Sequence, residues 1–126
     1  MKVEKQKKKK YLRANSLYSI GRGDYGQLGV VDKDAKIFEQ TEELNLVKFP
    51  DNDKIPVSIS SSVGCCYAVM SDGKGYAWGL GTNLQLTTGE DEDESLPIDI
   101  QGGRLEGKRI LKSALGGQHG MFLVSV

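Results

Sequence analysis

The chain has 126 residues, which is enough for a single domain. Its sixteen glycines make up about 13% of the residues, against a usual share of about 7%, while proline is low at three. This balance is typical of tight turns between short strands and not of disorder. No apolar stretch approaches the roughly 20 residues that span a bilayer, so the sequence predicts no membrane segment.

The formal net charge is zero, but the charges are unevenly distributed. Residues 1–13 carry seven Lys or Arg and one Glu, whereas residues 14–126 carry ten basic and sixteen acidic side chains. Because phosphate binding requires a basic face, the acidic body argues against the fold itself being a nucleic-acid clamp. Residues 1–14 are predicted to be a basic, disordered head. Its Lys-rich run is either a tail for nuclear import or nucleic-acid contact, or a solvated terminus.

Short apolar runs punctuated by glycine begin at Asn15 and predict an all-β fold. The sequence Ser71-Asp72-Gly73 predicts a hairpin turn. Residues 38–45 are the one helical candidate, and their weak periodicity favours an insertion loop with a single helical turn. The predicted strands, in chain order, lie at residues 17–20, 55–60, 67–70, 76–78, 110–114 and 121–126.

Two internal repeats relate these strands to one another. Residues 17–29 (LYSIGRGDYGQLG) align without a gap on residues 75–87 (GYAWGLGTNLQLT) at an offset of 58. Residues 62–70 (SVGCCYAVM) align on residues 116–124 (GGQHGMFLV) at an offset of 54. The positions expected to maintain the repeat structure are Gly21, Gly26, Gln27, Leu28, Gly29, Trp78, Gly79, Gln85, Leu86 and Gly116.

A strand-dense repeat of about 50–60 residues falls in the size range of β-propeller blades. The repeats predict a partial blade, a full blade and a second partial blade within residues 15–126. Since each blade must stack on its neighbours, about two blades cannot close a ring. We therefore expect apolar sheet faces to be exposed at both ends.

The segment GRGDYG at residues 21–26 is formally a GxGxxG motif. A dinucleotide-binding loop needs a following helix, and no helical run follows here. The motif also recurs in degraded form at residues 79–84, so its glycines are interpreted as turn residues. The tripeptide Arg22-Gly23-Asp24 lies inside the same repeat, which argues against an integrin-recognition role.

Acidic side chains suggest two further sites. Residues 32–43 place acids at positions 1, 3 and 12 of an EF-hand loop, but Lys36 and Ile37 stand where a ligand and a glycine are required, so no metal site is predicted. The run EDEDE at residues 90–94 is either a solvated loop or a surface facing a basic partner.

Four side chains are candidates for chemistry, and each has a structural alternative. Cys65 and Cys66 are neighbours in a strand, so they point to opposite faces and are expected to be buried, unbonded thiols. With no secretory leader in the sequence, they suggest a reducing intracellular compartment. Trp78 is expected in a blade core. His119, the only histidine, is either a structural hydrogen-bonding residue or a partner contact.

These residues resemble the repeat of the regulator of chromosome condensation family. Residues 18–29 form a nearly full copy of its YSxGxxxxGQLG element, and residues 116–119 match its GxxH element ahead of a hydrophobic strand. Residues 81–93, with their GTN, QL, TG and DED elements, look like the last repeats of the regulator that names the family. The resemblance covers roughly residues 15–126.

The resemblance implies a seven-bladed propeller of which this chain holds the C-terminal part. The family's regulator exchanges guanine nucleotide on the small GTPase Ran, in the nucleus, while bound to chromatin. Its loops stabilise the nucleotide-free GTPase without covalent chemistry or a cofactor. The family's GTPase-facing histidine falls on His119, which makes His119, Gln118 and Gly117 the predicted partner-binding residues. The alternative is a repeat-based interaction scaffold without exchange activity.

The chain also departs from the family pattern. Ser62 and Cys65 occupy positions where the repeat usually has Gly and His, and Thr87 replaces the closing glycine of the QLG element. That replacement leaves the φ angle of the turn open. About five blades are absent, together with the regions that contact chromatin, so the chain alone is expected to be inactive in exchange. The basic head precedes late blades here, and whether it contacts chromatin is left open.

Overall fold

The computed structural model describes residues 15–51 and 53–125, so the prediction of a basic head at residues 1–14 lies outside the described residues. The described chain is built from strands and one turn of 3-10 helix at Gly103–Leu105, without an α-helix. The prediction of an all-β fold is confirmed. The strands are β1 (Tyr18–Arg22), β2 (Gln40–Leu46), β3 (Pro56–Ser61), β4 (Cys65–Met70), β5 (Gly75–Gly79), β6 (Glu94–Asp99), β7 (Ile110–Leu115) and β8 (Gly120–Val124).

The strands form three antiparallel sheets. A four-stranded sheet in the order β3-β4-β5-β6 lies in the middle of the sequence, and we call it the central blade. The pairs β1-β2 and β7-β8 form two-stranded sheets before and after it, which we call the N-terminal and C-terminal half-blades. The predicted hairpin turn joins β4 to β5, where Met70 N–H donates to the Lys74 carbonyl and Gly73 has φ 85°.

The sequence repeats are reproduced in the backbone. β1-β2 corresponds to β5-β6 at the offset of 58, and both pairs have a register shift at the same place, between Ser19 and Gly21 and between Ala77 and Gly79. β7-β8 corresponds to β3-β4 at the offset of 54, and its shift between Ile110 and Lys112 matches that between Pro56 and Ser58. The two half-blades are therefore different halves of the same repeat unit.

The central blade packs on both neighbours through alternate residues of its strands. Cys65, Tyr67 and Val69 lie in the core shared with the C-terminal half-blade, where the rings of Tyr67 and Phe122 are 4.8 Å apart. Their sequence neighbours Cys66, Ala68 and Met70 face the other way, toward the N-terminal half-blade. The prediction that Cys65 and Cys66 point to opposite faces as free thiols is confirmed. Trp78 lies in the second core, as predicted.

The outer faces of both half-blades are apolar and exposed. On the C-terminal side, Met121 is 65% exposed, whereas its repeat equivalent Tyr67 is 1% exposed. On the N-terminal side, Ile20 is 55% exposed and its equivalent Trp78 is 2% exposed. The same positions are buried wherever a neighbouring blade covers them, so the prediction of uncovered faces at both ends is confirmed.

The prediction of a loop with a helical turn at residues 38–45 is wrong. Residues 40–46 form β2, which pairs with β1 from Tyr18↔Leu46 to Arg22↔Gln40. Five of the seven residues of β2 are exposed and none is buried, which suits the polar segment QTEELNL, and its local preference is overridden by pairing with β1. Among the described residues, no helix is long and apolar enough to cross a membrane.

Candidate partner-binding loop end

Four connections emerge at one end of the sheets, because alternate turns of antiparallel strands lie at the same end. They are residues 23–39, 62–64, 80–93 and 116–119, which we call the loop end. The first two touch: a Cβ built on Gly64 would lie 3.2 Å from Cδ2 of Tyr25. The turn at residues 71–74 lies at the opposite end, where the Gly73 carbonyl accepts the Ile110 N–H.

The GxxH element forms the turn between β7 and β8. Gly116 N–H donates to the His119 carbonyl over 2.8 Å, and Ser62 N–H donates to the Cys65 carbonyl over the same distance in the equivalent turn. The imidazole of His119 folds over Gly116, where a Cβ would lie 2.4 Å from Cε1. A side chain at position 116 would therefore collide with the imidazole of His119, which agrees with the prediction of a structural glycine there.

The three predicted partner-binding residues, Gly117, Gln118 and His119, are all exposed in this turn. The equivalent residues of the central blade distinguish Gly117 from Gln118 and His119. Val63, equivalent to Gly117, is 90% exposed although it lies between two neighbouring sheets. Gly64 and Cys65, equivalent to Gln118 and His119, are buried. The tip position is therefore open in any blade, whereas the other two positions are exposed here because no blade follows β7-β8 in the described chain.

The predicted structural glutamines hold the glycine-rich turns at the loop end. The side-chain oxygen of Gln27 accepts the backbone N–H of Tyr25 over 2.8 Å, and that of Gln85 accepts the N–H of Asn83 over the same distance. Both glutamines are nearly buried, at 9% and 6% exposure. An identical contact in two blades explains why this residue type recurs.

Positive φ angles also recur at the repeat positions, even where glycine does not. Gly21 and Gly79 have φ of 110° and 102°. Gly26 has φ 81° and its equivalent Leu84 has φ 64°. Gly29 has φ 71° and its equivalent Thr87 has φ 69°. The turn geometry that the Thr87 replacement had left open is therefore retained, in a conformation that disfavours a β-branched residue.

Two hydrogen bonds from aromatic side chains link these turns to the blades, and the sequence alone gave no sign of them. The indole N–H of Trp78 donates over 3.0 Å to the backbone carbonyl of Gln27 in the preceding half-blade. The phenol of Tyr67 donates to the backbone carbonyl of Gln85 within the central blade. The first bond crosses between blades and the second does not, although Gln27 and Gln85 are repeat equivalents.

The charges at the loop end are mostly acidic. Arg22 is paired with Asp24 through two hydrogen bonds of 2.9 and 2.7 Å, and this pairing lowers the pKa of Asp24 and raises that of Arg22. Within the Arg-Gly-Asp tripeptide, the side chains of Arg22 and Asp24 are therefore paired with each other. Asp93 accepts the Gly81 N–H over 3.0 Å and closes the 80–93 loop, while residues 90–93 are exposed.

Both thiols have a raised pKa. Burial, and then the neighbouring Cys66, raise the pKa of Cys65 to about 12, and burial raises the pKa of Cys66 to about 11. Such thiols are poor nucleophiles. In the acidic segment at residues 32–43, Asp32 accepts the N–H groups of Asp34 and Lys36 in a tight turn. No cluster of three or more potential metal ligands occurs in the part of the chain that the structure describes.

Comparison with known proteins agrees with this geometry. The sequence profile of the Regulator of chromosome condensation (RCC1) repeat matches residues 72–123. The Regulator of chromosome condensation of Xenopus laevis is 43% identical over 107 residues, covering 85% of this chain. The chain spans only 24% of the length of that relative.

Two crystal structures have the same fold over most of the chain. Human WBSCR16 superposes with a TM-score of 0.73 at 23% identity, covering 86% of this chain and 26% of that one. Prp20p of Saccharomyces cerevisiae, described with its binding properties to Gsp1p and histones, superposes with a TM-score of 0.70 at 21% identity, covering 87% of this chain and 27% of that one. The sequence matches show that this chain carries repeats of the regulator of chromosome condensation family, and the two structures show that it is folded as about two blades of a propeller.

Proposed function

We propose that this chain supplies the C-terminal repeats of an exchange factor for a Ran-type small GTPase, within a seven-bladed ring. The observation that carries the proposal is the 43% identity to the frog regulator over 85% of the chain. The loop end binds the GTPase more tightly without its nucleotide than with it. Nucleotide release is accelerated because that difference in affinity stabilises the empty state.

The contact is centred on the tips of the turns between the first two strands of each blade. Val63 is 90% exposed at one tip, and a Cβ built on Gly117 at the next would meet no atom within 4 Å. Both tips project from turns closed by a 2.8 Å backbone hydrogen bond, so they are held rigidly on the sheet. His119 and Gln118 support this contact from the base of the second turn.

The acidic loop at residues 90–93 gives the contact its electrostatic character. These side chains are exposed at the same end as the two tips. An acidic surface raises the association rate of a partner with a basic patch and loses that advantage as salt screens it. The proposal therefore includes a partner surface that is basic where it meets residues 90–93.

The test uses nucleotide release in a complete ring, since about two blades are expected to be inactive alone. The matching 107-residue segment of the frog relative is replaced by that of this chain, and release of fluorescent GDP from the Ran-type GTPase is followed. We expect the chimera to accelerate release. Gly117→Asp and Val63→Asp should each reduce that acceleration at least tenfold, and His119→Ala by a smaller factor.

Lys74→Ala is the matched control, because Lys74 is exposed in the turn at the opposite end of the sheets. A folded chimera without exchange activity would leave an interaction scaffold as the function. Equal activity of the Gly117→Asp, Val63→Asp and Lys74→Ala chimeras would remove the loop end from the mechanism.

The proposal also places the protein in the nucleus, with chromatin as a second partner. The basic residues 1–13 and the blades outside this chain are the regions proposed for that contact. Nuclear import of a fluorescent fusion, compared with a fusion lacking residues 1–14, tests the location. Retention of both fusions outside the nucleus would contradict it.

A further inference from the structure

The N-terminal half-blade and the central blade meet at the loop end around Gly64, in the turn between β3 and β4. A Cβ built on Gly64 would lie 3.2 Å from Cδ2 of Tyr25, in the 23–39 loop, and 3.1 Å from Cβ of Leu80, in the 80–93 loop. The Gly64 carbonyl also accepts the Leu80 N–H over 2.7 Å. Val63, the residue before Gly64, forms the exposed tip of the turn. We call Tyr25, Val63 and Leu80 the junction cluster.

The exposure of this cluster does not depend on sheets outside the described chain. Tyr25 is 38% exposed although the central blade follows it. Asn83, its repeat equivalent in the central blade, is exposed although the N-terminal half-blade precedes it. Val63 is 90% exposed between two neighbouring sheets. Neither a preceding nor a following blade covers these positions, so a separate protein can reach them in a ring.

The turn itself does not need an aromatic side chain at Tyr25. The side-chain oxygen of Gln27 accepts the Tyr25 N–H over 2.8 Å. In the next repeat, Gln85 makes the same bond to Asn83, so asparagine suits this turn equally well. The bond fixes the backbone of Tyr25 while its ring lies against Gly64, so the phenol has little freedom left to lose on binding. Rigid, partly exposed tyrosines are common anchors in protein interfaces.

Acidic side chains flank the junction cluster on two sides, but only one flank carries unpaired charge. On the side of the N-terminal half-blade, Asp24 is paired with Arg22 over 2.7 Å, so that flank is locally neutral. On the other side, the N–H of the residue after Leu80 is accepted by Asp93 over 3.0 Å, which brings the end of the acidic loop beside the cluster. Glu92 is exposed there and forms no ion pair with a described residue.

We infer that the junction cluster receives an apolar side chain of the GTPase, and that a Lys or Arg next to that side chain meets Glu92. The inference rests on the proposed function and specifies the chemistry of the partner at one point of the contact. Apolar burial at the cluster supplies affinity, and the charged flank speeds association. In the next blade the equivalent positions hold Asn83 and Gly117, which offer no apolar side chain. The cluster therefore fixes the rotational setting of the GTPase on a ring of otherwise similar blades.

Binding of the nucleotide-free Ran-type GTPase to the full 126-residue chain, measured by biolayer interferometry, tests the cluster. Tyr25→Asn should raise the Kd at least tenfold, whereas Tyr25→Phe, which retains the ring, should change it less than twofold. Tyr25→Asn should leave the urea midpoint unchanged, because Asn83 already holds the equivalent turn. Lys74→Ala, at the opposite end of the sheets, is the control. No binding of the wild type at about 50 µM GTPase, an unchanged Kd in Tyr25→Asn, or a loss of binding that accompanies a lower urea midpoint would overturn the inference.

The charged flank is tested by the salt dependence of the association rate. Glu92→Gln should lower the association rate constant about threefold at low salt, flatten its dependence on salt and leave the dissociation rate nearly unchanged. Glu106→Gln is the matched control, because it makes the same charge change at an exposed residue between β6 and β7, at the opposite end of the sheets. Equal salt dependence of the two variants would show that no basic group of the GTPase meets Glu92.

Nucleotide release by the chimera distinguishes failure of this inference from failure of the proposed function. In the chimera, Tyr25→Asn should reduce the acceleration of release at least tenfold. A chimera that accelerates release equally with and without Tyr25→Asn would retain the exchange function and overturn the role of the junction cluster. Conversely, binding of the chain through Tyr25, together with a chimera that is inactive in exchange, would support the contact and remove the exchange function.

Discussion

Thr87 is the residue whose backbone conformation fits its side chain least well. Its φ of 69° matches that of Gly29, its glycine equivalent, to within 2°. An L-residue in this region carries a strain of about 1–2 kcal/mol, and a β-branched side chain belongs at the upper end. Thr87→Gly removes that strain and should stabilise the fold.

Two opposing effects reduce the expected gain. Glycine loses more backbone entropy on folding, which costs about 0.5–1 kcal/mol. The hydroxyl of Thr87 accepts the Gln101 N–H over 3.3 Å at an exposed site, and losing that bond costs at most a few tenths of a kcal/mol because water replaces it. The net stabilisation by Thr87→Gly is therefore about 0.5 kcal/mol, or roughly 2–4 °C in Tm.

Two further variants separate strain from hydrogen bonding. Thr87→Asn relieves the strain without the entropy cost of glycine, so it should stabilise by about 1 kcal/mol. Thr87→Val retains the branched side chain and loses only the hydroxyl, so it should be neutral or slightly destabilising. Urea unfolding followed by the fluorescence of Trp78, the single tryptophan, measures all three. A Thr87→Gly midpoint at or below that of Thr87→Val would refute the strain argument.

The other predictions concern collision and ionisation in the blade cores. Gly29→Ala should destabilise by about 2–4 kcal/mol, because at φ 71° its Cβ would lie 2.8 Å from the Trp78 indole nitrogen. Gly89→Ala, at φ 80°, has open space around its Cβ and should cost only about 1 kcal/mol. Equal urea midpoints of the two variants would contradict the proposed collision. Cys65 and Cys66 have their pKa raised from 9.0 to about 12 and about 11, so their thiols ionise first in the unfolded chain and stability is lost as pH rises from about 9 toward 11. Each thiol contributes at most about 1.4 kcal/mol per pH unit in that window, and Cys66→Ala should flatten the fall of the urea midpoint between pH 8.5 and 10.

The sequence predicted those features of the fold that repeat locally. The glutamine positions of the two turns follow from a residue type that recurs at a fixed offset and makes the same contact twice. The positive φ angles recur at the same offset even where glycine is replaced. The strand β2 was not predicted because QTEELNL has neither apolar alternation nor β-branched residues beyond Thr41. Its strand conformation comes from pairing with β1, which no local pattern encodes.

Contacts between blades could not be predicted from the sequence for a similar reason. Trp78 was predicted to be a core residue from its type alone, but its bond to the Gln27 carbonyl requires two blades 51 residues apart in sequence to be placed side by side. Likewise, Gly29 was identified as a turn glycine from its repeat position, yet its second requirement, the indole above it, appears only in the packed structure. Periodicity predicts which residues lie inside, while the partner of each depends on the stacking of blades.

The predicted partner-binding turn shows how this stacking changes the meaning of an exposed residue. His119 is exposed in the described chain, but its equivalent Cys65 is 1% exposed once a blade follows it. A blade that follows β7-β8 would therefore cover the imidazole and keep a separate protein from contacting it, unless the strands of that blade leave the ring exposed. A following blade does not cover the tip at Gly117, because its equivalent Val63 remains 90% exposed between two neighbouring sheets. Under the proposed function, a partner that contacts every blade in the same way does so at the tips, and His119 supports that contact by its close packing on Gly116.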